Sequence, residues 1–178
     1  MIRSALSVWK IALFVLVVAS IFWLGAVNIR AMIGNDMLKT GTLEFEEYLD
    51  PEAEREIFRL ISFASVVIII SYAIVFISGT VFLVTSPFRL KENGWLMMSA
   101  ILFYTFVPVE AFTMYLDGKI AYKEFFTTEG NNVFRELFIA RVGALAGAPL
   151  IALLCYYTII ALAVFRPFTK TSRPINEA

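Results

Sequence analysis

The run of 26 residues at positions 60–85 contains no charged side chain. Crossing the hydrocarbon core of a bilayer, roughly 30 Å thick, takes about 20 helical residues at about 1.5 Å each. An uncharged run of this length therefore predicts a transmembrane helix. The alternative is a soluble bundle with buried helices, and the composition argues against it, because 60% of the residues are hydrophobic and only 17% are charged.

Three further apolar runs are long enough to span a membrane, at 11–27, 95–116 and 140–165. Basic residues precede the first run, as in a signal peptide, but its 17 apolar residues exceed the usual signal core, so we expect a retained helix. The sequence thus predicts an all-α integral membrane protein, a single domain of four transmembrane helices. Its two long loops, 28–59 and 117–139, are predicted to lie outside.

Lysine and arginine concentrate at the two termini and in the turn 86–94. These segments together hold seven bases against two acids, whereas the loop 28–59 holds four bases against eight acids. Basic residues in short loops and tails favour the cytoplasmic side of a membrane. Both termini are therefore predicted to be cytoplasmic, and we expect a multi-pass protein of the bacterial cytoplasmic (inner) membrane.

An internal repeat relates two segments of equal length. Residues 55–88 begin REIF and end SPF, and residues 135–168 begin RELF and end RPF. A shift of 80 positions aligns Arg55 with Arg135 and Pro87 with Pro167 without a gap. The pattern predicts two helical hairpins related by a parallel duplication, with a proline closing the second helix of each.

The first long loop contains a dense acidic segment. Its Asp50-Pro51-Glu52 sequence predicts a helix start, with an N-cap, a proline in the first turn and an acid near the positive end of the helix dipole. A solvated helix start, a docking surface for a basic partner and a calcium site all remain open, although the spacing matches no calcium loop. The candidate docking acids are Glu44, Glu46, Glu47, Asp50, Glu52, Glu54 and Glu56.

Small residues and one proline suggest how the spans pack. Gly143 and Gly147 lie four residues apart in the fourth run, which is typical of close helix packing. Their partner is either another helix of this chain or a neighbouring subunit. Pro108 lies inside the third run and predicts a helix kink, because proline has no N–H for the helical hydrogen bond.

Two charged residues lie within the apolar runs at similar predicted depths. Glu110 comes seven residues before Asp117, about 10 Å along a helix, and Arg141 comes six residues after Arg135, about 9 Å along the next. An unpaired charge is costly at such a depth, so we predict an intramembrane ion pair between Glu110 and Arg141. A transport site at Glu110 or two unrelated snorkelling side chains are the alternatives.

Several residue types and motifs that catalysis commonly uses are absent from the sequence, which narrows the classes of function. The chain has no histidine and a single cysteine, which excludes histidine-ligated haem or zinc, a Ser-His-Asp triad and an internal disulfide. It also lacks a P-loop, a dinucleotide fingerprint and a basic cluster for nucleic acid. We therefore expect no enzymatic activity, no cofactor, no metal and no nucleic-acid partner.

Two classes of function remain. The first is a noncatalytic subunit or assembly protein of a larger membrane complex, whose partners are the lipid bilayer and other membrane proteins or further copies of itself. The second is a small transporter or channel that uses Glu110 as a cation or proton site. A lone acid, away from the midplane at which transport sites usually lie, argues against the second class.

Overall fold

A computed structural model describes residues 7–39, 41–46 and 50–169 of the chain. It is 82% helical, and no strand occurs in these ranges. The helices, in chain order, are α1 (Val8–Asp36), α2 (Pro51–Thr85), α3 (Gly94–Phe126), α4 (Asn131–Val142) and α5 (Ala148–Phe165), with a short 3₁₀ turn (Ala144–Gly147) between the last two.

Among the residues that the structure describes, four helical segments are long and apolar enough to cross a membrane. They are Val8–Asp36, Pro51–Thr85, Gly94–Phe126 and Ala144–Phe165. The predicted all-α fold with four candidate membrane spans is therefore confirmed. The first three helices are longer than their apolar runs, so residues that the sequence suggested to be loop, including Arg30 and Asp117, are helical.

The fourth run is not one continuous helix, contrary to prediction. Between α4 and α5, Leu145 (φ 58°) and Ala146 (φ 47°) have left-handed backbone conformations, and so does Gly147 (φ 88°). The break leaves α5 with 18 residues, about 27 Å of helix, which is close to the thickness of a hydrocarbon core. The more polar α4 stands beyond this segment as a separate short helix.

Neighbouring helices run antiparallel. Along α1, the Trp23 ring lies near Tyr72 of α2 with ring centroids 4.9 Å apart, and Arg30 further along contacts Ser65, which comes earlier in α2. The same reversal relates α3 to α5. Gly94 at the start of α3 donates its backbone N–H to Phe168 after α5 (3.2 Å), and Phe103 lies 6.3 Å from Tyr156 further up.

Three hydrophobic clusters are stacked along the bundle. We call the end near residues 7 and 169 the termini end, and the opposite end, with residues 37–39, 41–46 and 127–130, the loop end. The termini-end cluster comprises Ala12, Phe82, Trp95 and Leu96. The middle cluster comprises Ala19, Trp23, Ile68, Tyr72, Val75, Ala152 and Tyr156. The loop-end cluster comprises Met37, Phe58, Ile61, Ile120, Phe134 and Phe138.

Local signals at the ends of α2 follow the predicted pattern. Asp50 caps the helix, and its side chain accepts a hydrogen bond from the N–H of Glu52 (3.2 Å). Proline follows the last helical residue by two positions at Pro87 and again at Pro167 after α5. Buried serines within α2 bond back to their own helix, as Ser62 does to the carbonyl of Phe58 (2.9 Å), so their hydroxyls are satisfied.

Candidate functional site

Asp117 on α3 is a buried acid with two arginine partners. The residue is 1% exposed, and arginines from two other helices reach its two carboxylate oxygens. Arg30 Nη1 of α1 lies 2.5 Å from Oδ2, which is an ion pair whose geometry is not that of a hydrogen bond. Arg141 Nε of α4 donates a hydrogen bond to Oδ1 at 2.9 Å. Asp117 thereby joins three helices through charge-assisted contacts.

A fourth helix is connected through a serine. Arg30 Nη1 also lies 3.3 Å from Ser65 Oγ on α2, and Ser65 itself donates to the carbonyl of Ile61 (2.8 Å). Arg141 occupies the last turn of α4, where the free carbonyls of a helix favour a cation. We call Arg30, Asp117 and Arg141 the arginine clamp. It sits between the middle and loop-end hydrophobic clusters.

The predicted ion pair between Glu110 and Arg141 is wrong. In the part of the chain that the structure describes, the acid bonded to Arg141 is Asp117, and no ion pair of Glu110 occurs. The reason is depth, since α3 remains helical beyond residue 116 and carries Asp117 about two turns closer to the level of α4. Glu110 is still within electrostatic range of Arg141 and Arg30, and it is half-buried.

Glu110 and the arginine clamp line one small cavity of about 30 Å³. Trp23 from α1 and Tyr156 from α5 form another part of its wall. Both side chains are at least nine-tenths buried, and the indole N–H has no hydrogen-bond partner among the described residues. The phenol hydroxyl interacts with Glu110 and Tyr72, although not with ordinary hydrogen-bond geometry. The cavity therefore combines charged groups with one unpaired donor.

The predicted glycine packing site is also wrong as a contact between helices of this chain. Gly143 and Gly147 are exposed, and a Cβ added at Gly147 would meet nothing within 4 Å. Both instead border the break between α4 and α5, and Gly147 provides one of its left-handed conformations. A close helix approach does occur at Gly34 of α1, whose added Cβ would lie 2.9 Å from Cζ of Phe138.

Pro108 lies inside α3, which continues as a helix on both sides of it. The residue is exposed. Its missing N–H therefore does not end the helix. The helix kink stays a prediction.

The acidic segment divides into exposed and buried members. Glu44, Asp50, Glu52 and Glu56 are exposed, Glu46 is half-buried, and Glu47 lies outside the described residues. Glu54 is 1% exposed and therefore cannot belong to a docking surface in this structure, which corrects the prediction for that residue. No group of three or more acids, cysteines or histidines that could hold a metal ion occurs among the residues described.

Glu54 instead forms a second buried ion pair at the loop end. Its carboxylate accepts from Arg135 Nε (2.5 Å) and Nη2 (2.8 Å), and from Asn131 Nδ2 (3.2 Å). The hydrogen bonds to Glu54 raise the pKa of Arg135, so this guanidinium stays charged. The contacts join the first turns of α2 and α4, and they account for the burial of an acid at the start of a helix.

Comparisons with protein-family models, with curated proteins and with solved structures found no match to this chain.

Sequence reasoning missed Arg30 and Asp117, because both were assigned to loops. A signal was present in α3, where the buried residues Thr113, Asp117, Ile120 and Ala121 recur at spacings of three and four. This periodicity marks one face of a helix that continues past the apolar run. Asp117 lies on that buried face, and such a position requires a partner for a carboxylate.

Proposed function

We propose that the protein is a noncatalytic subunit or assembly protein of a larger membrane complex. The main support is that the charged groups of the arginine clamp contact one another inside the bundle. Both oxygens of Asp117 face arginines on other helices, an arrangement suited to holding helices together. The exterior then offers two surfaces for partners, the apolar sides of the spans and the exposed acids of the loop end.

The apolar sides of the spans would face lipid or another membrane protein. On α1, Phe14, Ile21 and Phe22 are each more than 60% exposed, and on α5 Leu150 and Leu154 are more than half exposed. In a membrane such surfaces are covered by lipid tails, or by helices that pack against them. They suit a small subunit with little internal core.

The exposed acids at the loop end provide the second surface. We call Glu44, Asp50, Glu52 and Glu56 the acidic ledge. Asp50, Glu52 and Glu56 lie at the N-cap and in the first two turns of α2, and Glu44 lies in the segment before it. A partner with a basic surface would be steered toward these carboxylates and held in register. This interpretation replaces the seven-residue docking surface, because Glu54 is engaged by Arg135.

The orientation in the membrane follows from the same charge pattern. We propose that both termini are cytoplasmic and that the acidic ledge lies outside, in a bacterial cytoplasmic membrane. We also propose two hairpins related by a parallel duplication. In support, α2 begins at Pro51 and α4 at Asn131 (131 − 51 = 80), while α2 ends at Thr85 and α5 at Phe165 (165 − 85 = 80).

Purification in a mild detergent, followed by mass spectrometry of copurifying proteins, tests the proposal. The variant Glu44→Gln/Glu52→Gln/Glu56→Gln neutralises the acidic ledge while leaving the Asp50 cap intact. We expect the wild-type chain to retain a membrane-protein partner with a basic surface, and the variant to lose it at moderate salt. The exposed Glu92→Gln at the termini end is the matched control and should retain the partner.

A second candidate, cation or proton transport through Glu110, is favoured by one observation, that Glu110 lines the central cavity. Liposomes containing the purified protein distinguish the two functions. A monomer that copurifies with nothing, and that carries cations in the wild type but not as Glu110→Gln, would contradict the subunit proposal.

A further inference from the structure

Glu110 and Arg141 line the same cavity without forming a direct ion pair. The cavity lies where α1, α2, α3 and the α4–α5 segment meet, between the middle and loop-end clusters. Its volume of about 30 Å³ exceeds the roughly 10–15 Å³ that one water molecule requires. The site therefore has room for one or two waters, and for no larger organic ligand.

The wall of the cavity provides a hydrogen-bond donor that needs an acceptor. Trp23 is 3% exposed, and its Nε1 has no partner among the described residues. The Tyr156 hydroxyl is also buried, but it already interacts with Glu110 and Tyr72. A donor that is buried and unpaired is unfavourable. The Trp23 indole therefore points to a bound acceptor.

The charges around the cavity favour a neutral ligand. Arg30 and Arg141 contribute two positive charges, and the carboxylates of Asp117 and Glu110 contribute two negative charges, so the four groups balance. A bound cation or anion would leave a net charge in a buried site, which is unfavourable. Water can accept from Trp23 and Arg141 while donating to a carboxylate.

We propose that this cavity binds one or two water molecules that bridge the Glu110 carboxylate to the Arg141 guanidinium. The water accepts hydrogen bonds from Trp23 or Arg141 and donates to Glu110, so the Trp23 indole obtains the partner that it lacks among the described residues. Glu110 then acts as the second counter-ion of the arginine clamp through water, whereas Asp117 acts through direct contact. This inference does not depend on the proposed subunit function.

X-ray radiolytic labelling in lipid nanodiscs, read out by mass spectrometry, tests the water site. Hydroxyl radicals generated from a bound water modify the side chains beside it even when they are buried. We expect Trp23 and Tyr156 to be labelled several-fold faster than Trp95 and Phe82, which are buried to a similar degree in the termini-end cluster. Equal labelling of the two pairs would overturn the proposal.

A variant that fills the cavity provides a second test. Val27 lines the cavity, and Val27→Phe should displace the water and reduce the labelling of Tyr156 to the level of Phe82. Val17→Phe is the matched control, because Val17 is on the same helix and 51% exposed, and its labelling pattern should equal that of the wild type. Unchanged labelling of Tyr156 in a folded Val27→Phe protein would contradict the water site. If that variant does not fold, the comparison within the wild type still decides.

Discussion

Asp117 and Glu110 are both acids of α3, yet they have different partners. Asp117 contacts two arginines directly, whereas Glu110 lies seven residues earlier and forms no direct ion pair in the described chain. The difference follows from position along the helix, since Arg30 and Arg141 both lie near the level of Asp117. The sequence predicted similar depths for Glu110 and Arg141, and both residues line one cavity. Depth alone did not identify Asp117 as the acid that binds Arg141.

Two glycines of α1 differ in how closely other side chains pack against them. Gly34 has the Phe138 ring 2.9 Å from the site of an added Cβ, while Gly25, on the same helix, has nothing within 4 Å. We predict that Gly34→Val lowers the free energy of unfolding by about 1–3 kcal/mol through overpacking. Gly25→Val is the control and should change it much less. Equilibrium unfolding in mixed micelles measures both, and equal effects would show that α1 and α4 do not pack closely at Gly34.

Among the helices, the main feature is the break between α4 and α5. Arg141 is one residue from the end of α4, and the break frees this short helix to follow its own direction, with Phe134 and Phe138 in the loop-end cluster. A continuous helix would have to orient Arg141 and the apolar face of α5 together. The conformation is costly, because Leu145 and Ala146 are left-handed without being glycine.

Substitutions at the break should therefore change stability in opposite directions. Ala146→Gly relieves the left-handed strain, and we predict that it raises the free energy of unfolding by about 1 kcal/mol. Gly147→Ala introduces the same strain and should lower it by about 1–2 kcal/mol. Thermal unfolding in detergent provides the measurement. If Ala146→Gly is destabilising while Gly147→Ala is neutral, residues 146 and 147 are helical and the break is not present.

Across the whole molecule, apolar length predicted the four spans, because crossing a bilayer constrains length and polarity more strongly than sequence detail. The starts of α2 and α4 lie 80 residues apart, as do the ends of α2 and α5, although the second segment is broken where α2 is continuous. The sequence did not predict the break at 143–147, since Leu145 and Ala146 have no local preference for a left-handed turn. Arg30 and Asp117 were assigned to loops because polarity alone was taken to end a helix, although tertiary ion pairs permit it to continue.

The proposed orientation in the membrane is tested by cysteine labelling in intact cells. With Cys155 first replaced by serine, we predict that Thr42→Cys reacts with an impermeant thiol reagent and that Glu92→Cys does not. Both positions are exposed in the structure, so accessibility within the protein is matched. After the cells are permeabilised, both should react. Labelling of Glu92→Cys but not Thr42→Cys in intact cells would invert the orientation.

The arginine clamp joins helices α1, α3 and α4 through Asp117, and the unfolding of Asp117→Asn measures how much these contacts stabilise the bundle. The substitution keeps the shape of the side chain but leaves Arg30 and Arg141 without their shared counter-ion. We predict a loss of about 3–5 kcal/mol in the free energy of unfolding in mixed micelles, as is typical when one partner of a buried ion pair is removed. Glu110→Gln, the matched acid on the same helix, should cost clearly less. A smaller loss for Asp117→Asn than for Glu110→Gln would contradict the account.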